Sequence, residues 1–195
     1  GNFGAGNLLM LGGLAARVPV RVIWYHTMAN ASRDDTTRSR WRYELLRARK
    51  ALVYRAASQL VANSDAARTD AITRFHVIPA RASTFHNSIP DPRNGIEPLP
   101  RAGDLIACVG RLTRLKGQHV VLEAMSRMAK PVRASFVGDG PARRDLEALA
   151  VRLGVRATFH GALPRPEALR IVAGATVAVV PTLSEAFGLV NLEAM

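Results

Sequence analysis

Cysteine, aromatic residues and acidic charge are all scarce in this chain of 195 residues. Cys108 is the single cysteine, so no disulfide can form within the chain. A reducing, cytoplasmic setting is the natural expectation, and Cys108, inside the apolar run Leu105-Ile106-Ala107-Cys108-Val109, reads as a small core residue. Aromatics make up 6% of the residues, too few and too scattered for a base-stacking platform, so nucleic acid is not expected as a partner. No run approaches the roughly 18 apolar residues of a membrane span. The Gly-rich start lacks the charged segment that opens a signal peptide. Asp and Glu number 15 against 27 Lys and Arg, for a formal net charge of +12. That balance favours anionic partners without choosing among phosphates, acidic lipids and nucleic acid. An Arg-rich composition with no functional meaning produces it equally well.

Hydrophobic residues make up 48% of the chain, enough for one large domain or two small ones. Between Ile89 and Pro100 lie four prolines and a glycine, a density that forbids continuous helix or central strand. The expected organisation is a first domain over 1–88, a linker over 89–103 and a second domain over 104–195. In the first, residues 6–16 are expected to be helical and Val18–Tyr25 reads as a buried strand. A helix over about 38–55 places Trp41, Leu45, Ala48 and Leu52 on one face. A strand at 59–62 and a helix over 65–74 capped by Ser64 follow. In the second, strands at 104–109, 132–137, 156–159 and 176–180 alternate with helices at 118–129, 142–153, 165–173 and from about 186. That alternation means an α/β fold of βαβ units on a parallel sheet, with ligands expected at the carboxyl ends of the strands.

The chemistry-bearing residues follow those strand ends. Gly110-Arg111-Leu-Thr-Arg-Leu-Lys116-Gly117 is not a Walker A loop, since its order is Lys-Gly with no hydroxyl after it, nor does it have dinucleotide-fingerprint spacing. Arg111 and Lys116 are phosphate ligands or solvated cations. Gly138-Asp-Gly-Pro141 makes a tight turn into a helix, and His160-Gly161 closes the third strand. After Pro181, a polar turn leads to a helix expected near Ala186, whose amino end would form an anion site with Gly188 close to the phosphates. Glu185 and Glu193, eight residues apart, are separated by about 12 Å along a helix. That exceeds the roughly 5–10 Å of a glycosidase pair. The span suits a ligand gripped at two ends, and suits equally a helix-start carboxylate and a solvated one.

In order and spacing, Val109-Gly-Arg-Leu with Lys116-Gly117, Phe136-Val-Gly-Asp-Gly-Pro141, Phe159-His-Gly161 and Ser184-Glu-Ala-Phe-Gly-Leu-Val-Asn-Leu-Glu-Ala194 resemble glycosyltransferase family 4. Trp24-Tyr-His26-Thr, Val61-Ala-Asn-Ser64 and Phe85-His-Asn-Ser88 extend the likeness into the first half. The resemblance implies a GT-B fold of two Rossmann-like domains, each expected to be incomplete, and retaining transfer from a nucleoside-diphosphate sugar. It implies that Arg111 and Lys116, with the backbone of Phe187, Gly188 and Leu189, bind the donor diphosphate, and that Glu193 binds the ribose. His160, Gly161 and Ala162 would lie near the nucleobase, while His26 and Glu185 would serve catalysis at the sugar. No metal or cofactor is expected; the donor would be of the UDP or GDP type and the acceptor, a glycan or lipid-linked molecule, is left open. Motifs at both ends of the family pattern are missing, so a transferase fragment or inactive nucleotide-sugar-binding remnant is expected. A nucleotide-sugar isomerase is disfavoured by the spacing of the two glutamates. A third reading is a basic peripheral membrane module, with Arg38–Arg55 as an interfacial helix on the inner face of a membrane.

Overall fold

The computed structural model describes residues 3–28, 40–91, 100 and 103–195. The chain divides into two compact units, Gly1–Asn87 with Glu185–Phe187, and Ser88–Ser184 with Gly188–Met195. Most of the Pro-rich stretch expected as a linker (92–99 and 101–102) lies outside the described residues.

The first unit runs α1 (Phe3–Ala15), β1 (Val22–Tyr25), α2 (Arg40–Arg55), β2 (Gln59–Ala62), α3 (Asp65–Phe75) and β3 (Ala82–Thr84). Its strands form a parallel sheet in the order β1-β2-β3, with Val22 opposite Gln59 and Leu60 opposite Ala82. Parallel neighbours require crossovers, which α2 and α3 supply. Ser64 caps α3 as expected, its hydroxyl accepting from the Ala67 amide at 3.0 Å. Ala67, Ala71 and Phe75, four residues apart, form the helix's buried stripe. Phe75 meets Tyr54 and Tyr25 edge-to-face, at 5.0 and 6.0 Å between centroids. Tyr25 Oη donates to Asp70 at 2.5 Å. Burial, with that carboxylate beside it, pushes the Tyr25 phenol above its ordinary value, and burial pushes Tyr54 up to about 12.

Two expectations for this unit, both about its first strand, need correction. The first strand begins at Val22 rather than Val18, because Pro19 has no amide to donate and Ser58 occupies the Arg21 backbone. That strand is not buried on both sides: Val22 and Trp24 are exposed, while only Tyr25 is fully covered. The apolar stripe of α2 faces away from the core, which α2 meets through Val53 and the half-buried Tyr54. The sequence also hid β3 and the turn of 3-10 helix before it at Pro79–Arg81, each only three residues long.

The second unit runs β4 (Leu105–Val109), α4 (Gln118–Met125), β5 (Arg133–Val137), α5 (Arg143–Leu153), β6 (Arg156–Gly161), α6 (Arg165–Gly174), β7 (Val177–Ala178) and α7 (Leu189–Glu193). All four strands are parallel, in the order β6-β5-β4-β7. The chain therefore winds outward from β4 in one direction and then returns to its other side. Central β5 is buried from Ala134 to Val137, Ser135 included, so it is covered on both faces. Leu112, Leu122, Phe136, Leu146 and Cys108 form the core, and Phe136 stacks on Phe159 at 4.9 Å. Burial pushes the Cys108 thiol up to about 12, in keeping with its expected core role. Pro131 follows α4 and the helix ends at Met125, four residues short of expectation. Helix α7 begins at Leu189, not near Ala186, because Gly188 turns the chain into the left-handed region at φ 75°. Among the described residues no helix is long and apolar enough to cross a membrane.

Candidate functional site

The reversal of winding at β4 marks the place where a ligand crevice forms in open α/β sheets, outside the carboxyl ends of β4 and β7. Both loops leaving those ends carry motifs singled out from the sequence. After β4 come Gly110, Arg111 and a turn of 3-10 helix at Arg114–Lys116, closing on Gly117. After β7 come Pro181, Thr182, Leu183 and Ser184. The two loops are joined directly: the Leu183 amide donates to the Leu115 carbonyl at 2.8 Å, and the Thr182 hydroxyl reaches the same oxygen at 3.3 Å.

Glycine is required where these loops touch. A Cβ on Gly117, already at φ 70°, would lie 2.1 Å from the Pro181 carbonyl oxygen. On the other side, a Cβ on Gly138 would lie 2.1 Å from the Gly110 carbonyl oxygen, at a φ of 135°. The Leu112 amide donates to Asp139 and the Gly138 amide to Gly161, at 2.9 and 2.8 Å. The loops after β4, β5, β6 and β7 are thus one backbone-bonded ledge. The Gly138-Asp-Gly segment earns its glycines from this packing.

Arg111 lies exposed on the ledge and Lys116 is half-buried within it. The Arg111 carbonyl accepts from Gln118 Nε2 at 3.1 Å, and Gln118, at the first position of α4, is only 2% exposed. Glu193 ends α7 half-buried, and its carboxylate accepts from Arg165 Nε at 2.8 Å. His160 Nε2 lies 3.1 Å from Ser135 Oγ, which ties the ring to the neighbouring strand. Gly161 lies buried next to it and Ala162 is exposed. Gly188 and Leu189 open α7 in this unit, whereas Glu185 and Phe187 group with the first. There Ala186 is buried, its carbonyl accepting from the Ser64 hydroxyl, and the Phe187 ring lies 6.2 Å from that of His86. His26, also in the first unit, is exposed just past β1. Among the described residues no group of three or more His, Cys, Asp or Glu could hold a metal ion.

Gln118 and Arg165 escaped the sequence reading. Arg165 had a faint signal: a cation in the first turn opposes the helix dipole and calls for a nearby carboxylate. Which carboxylate that is, 28 residues away, only the fold tells.

Residues 103–195 match the family described as glycosyl transferases group 1. This half of the chain belongs to the group 1 glycosyltransferases. The chain is 32% identical over 155 residues to the D-inositol 3-phosphate glycosyltransferase of Mycobacterium avium (strain 104), covering 71% of this chain and 36% of that protein. It is 28% identical over 192 residues to the 2-deoxystreptamine glucosyltransferase of Streptomyces kanamyceticus, covering 90% of this chain and 48% of that one. The crystal structure of Anabaena HepE in complex with UDP and glucose superimposes with a TM-score of 0.75 at 20% identity, over 96% of this chain and 54% of that chain. The fold is accordingly the α/β, GT-B type of glycosyltransferases. The chain spans 36% and 35% of the length of the first two curated relatives it matches.

Proposed function

We propose that this group 1 glycosyltransferase chain binds a nucleoside-diphosphate sugar and belongs to a retaining transferase. The observation that carries the reading is the ledge at the β4–β7 reversal, where Arg111 and Lys116 stand at the place a parallel sheet offers to a ligand. A diphosphate there would be met by a planar guanidinium fork, a point charge and the backbone of Gly188 and Leu189. As the anomeric bond breaks, its electron pair goes to the departing nucleoside diphosphate, and fixed cations stabilise that charge without reorganising. The acceptor hydroxyl passes its proton to the departing diphosphate oxygen and bonds to the same face of the anomeric carbon. Glu193, steadied by Arg165, would accept from the ribose hydroxyls. His160, Gly161 and Ala162 are proposed to lie near the base. His26 and Glu185 are proposed catalytic residues, and Phe187 is a proposed contact to the donor diphosphate. The Anabaena HepE structures with UDP and with UDP-glucose support a UDP-type donor.

Calorimetric titration with UDP, GDP and ADP tests the reading. One nucleotide binds, Arg111→Ala weakens it by roughly tenfold or more as a charged phosphate contact is lost, and Glu193→Ala weakens the nucleotide but not inorganic pyrophosphate. Arg165→Ala follows Glu193→Ala with a smaller effect. A folded chain that binds none of the three contradicts the assignment. Binding without turnover, with a glycan or lipid-linked acceptor supplied, would make it a nucleotide-sugar-binding remnant.

A further inference from the structure

We infer that Gln118 is a positioning residue for the donor diphosphate, fixing the backbone from which Arg111 reaches it; the inference rests on the proposed donor site. Gln118 opens α4, and its Nε2 donates to the Arg111 carbonyl at 3.1 Å, seven residues back along the chain. One bond thus closes the loop that carries both cations, Arg111 and Lys116. The same carbonyl also accepts from the Thr113 amide at 3.0 Å. On either side, the Gly110 amide donates to the Val137 carbonyl and the Leu112 amide to the Asp139 carbonyl, each at 2.9 Å. Leu112 is 0% exposed, so the chain is anchored in the core immediately after Arg111. An exposed, flexible side chain therefore extends from a backbone held at three successive residues.

The chemistry of Gln118 sets it apart from a packing residue. It is 2% exposed, yet its Oε1 has no hydrogen-bond partner among the described residues. A buried acceptor left unpaired destabilises a fold, and an unbranched apolar side chain of similar length would avoid that loss. The other buried residues of α4 follow the ordinary pattern: Val121, Leu122 and Met125 are all apolar. Nor does the Arg111 carbonyl depend on Gln118 for a partner, because the Thr113 amide already donates to it. What the side-chain amide adds is a second hold on the Arg111 backbone, from a residue outside the turn. A loop fixed before its ligand arrives loses less conformational freedom on binding. A guanidinium fork, which must meet two phosphate oxygens in register, gains most from that order. Gln118 thus lowers stability slightly and orders the one segment that presents Arg111.

The test is calorimetric titration of the full chain with inorganic pyrophosphate and with UDP, GDP and ADP, repeated for Gln118→Met. Methionine keeps the length of the side chain but cannot donate. Pyrophosphate and the nucleotide that binds should both weaken by about fivefold, the strength of one hydrogen bond. In the Arg111→Ala background, Gln118→Met should have no further effect, while with Glu193→Ala the two losses should multiply. Thermal melting should show Gln118→Met no less stable than the unaltered chain, because the unpaired acceptor leaves the interior with the amide. Gln118→Leu should repeat both results. A side chain that merely supports α4 would instead lower the melting temperature and weaken binding alike in both backgrounds. Unchanged affinity in Gln118→Met, or an equal loss with and without Arg111, overturns the inference and leaves the donor site standing. An unaltered chain that binds neither pyrophosphate nor nucleotide overturns both.

Discussion

The two units are built from the same parts, parallel strands joined by helices, yet they bury them differently. In the second, β5 is covered from Ala134 to Val137 on both faces. In the first, β1 alternates between covered Tyr25 and exposed Val22 and Trp24, and Phe85 beside Trp24 is 64% exposed. A parallel sheet with a layer on each side ordinarily reads as a continuous apolar run, yet it is β1, Val-Ile-Trp-Tyr, that reads that way, while the better covered β5 contains Arg133 and Ser135. Apolar composition therefore reports what a strand can bury, not what it does bury. The charge is divided as unevenly, with twice the net positive charge on the half whose apolar groups are exposed.

Substitution in the two sheets should separate them most strongly. Phe136→Ala removes a ring that is 0% exposed and stacked on Phe159, and should cost about 3–5 kcal/mol in urea unfolding. Val22→Ala, at a side chain 52% exposed, should change stability by less than about 1 kcal/mol. Because Trp24 and Trp41 both lie in the first unit, tryptophan fluorescence follows that unit and circular dichroism follows both. Equal losses from the two substitutions would erase the contrast.

Alkali offers a second separation. Cys108 in the second unit, ordinarily 9.0, is held up to about 12 by burial. Its neutral form is the folded one, so its contribution is complete below pH 9 and is lost as pH rises from 9 to 12, amounting to about 4 kcal/mol. Tyr54 in the first unit, ordinarily 10.0, is raised to about 12, so its loss starts about one pH unit later. Stability measured from pH 8 to 11 should fall first in the second unit, and Cys108→Ala should flatten that early decline. A decline that begins at pH 10 in both variants would contradict the assignment to Cys108.

The smallest effects concern glycines. Gly138→Ala forces a Cβ against the Gly110 carbonyl at a φ of 135° and should destabilise by about 1–3 kcal/mol. Gly12→Ala, in α1 with nothing within 4 Å of the new carbon, should stabilise by about 0.5–1 kcal/mol. Paired thermal melts give both signs. A neutral Gly138→Ala would mean that the ledge is not set by this contact.

Helices and strands of the second unit were largely legible, since amphipathic spacing at Leu146, Leu149, Ala150 and Leu153 and short apolar runs bounded by glycine repeat at regular intervals. The ledge was legible as motifs but not as a ledge, because the bonds from Leu183 to Leu115 and from Leu112 to Asp139 join segments remote in sequence. Helix α7 was placed three residues early because nothing local reveals that Gly188 takes a left-handed conformation. The partner of Arg165 was hidden for the same reason as the ledge.

The amino-acid sequence alone determined the class of fold, the family of the second half and the order of its motifs, since period, punctuation and residue type act over a few neighbouring residues. Only the tertiary structure decided that β4 is the reversal point of its sheet, that Glu193 meets Arg165, and that α2 meets its unit's core through Val53 and Tyr54. Periodicity defines which residues share a face of an element. Which face is covered depends on what packs there, and that contact is made by residues distant along the chain.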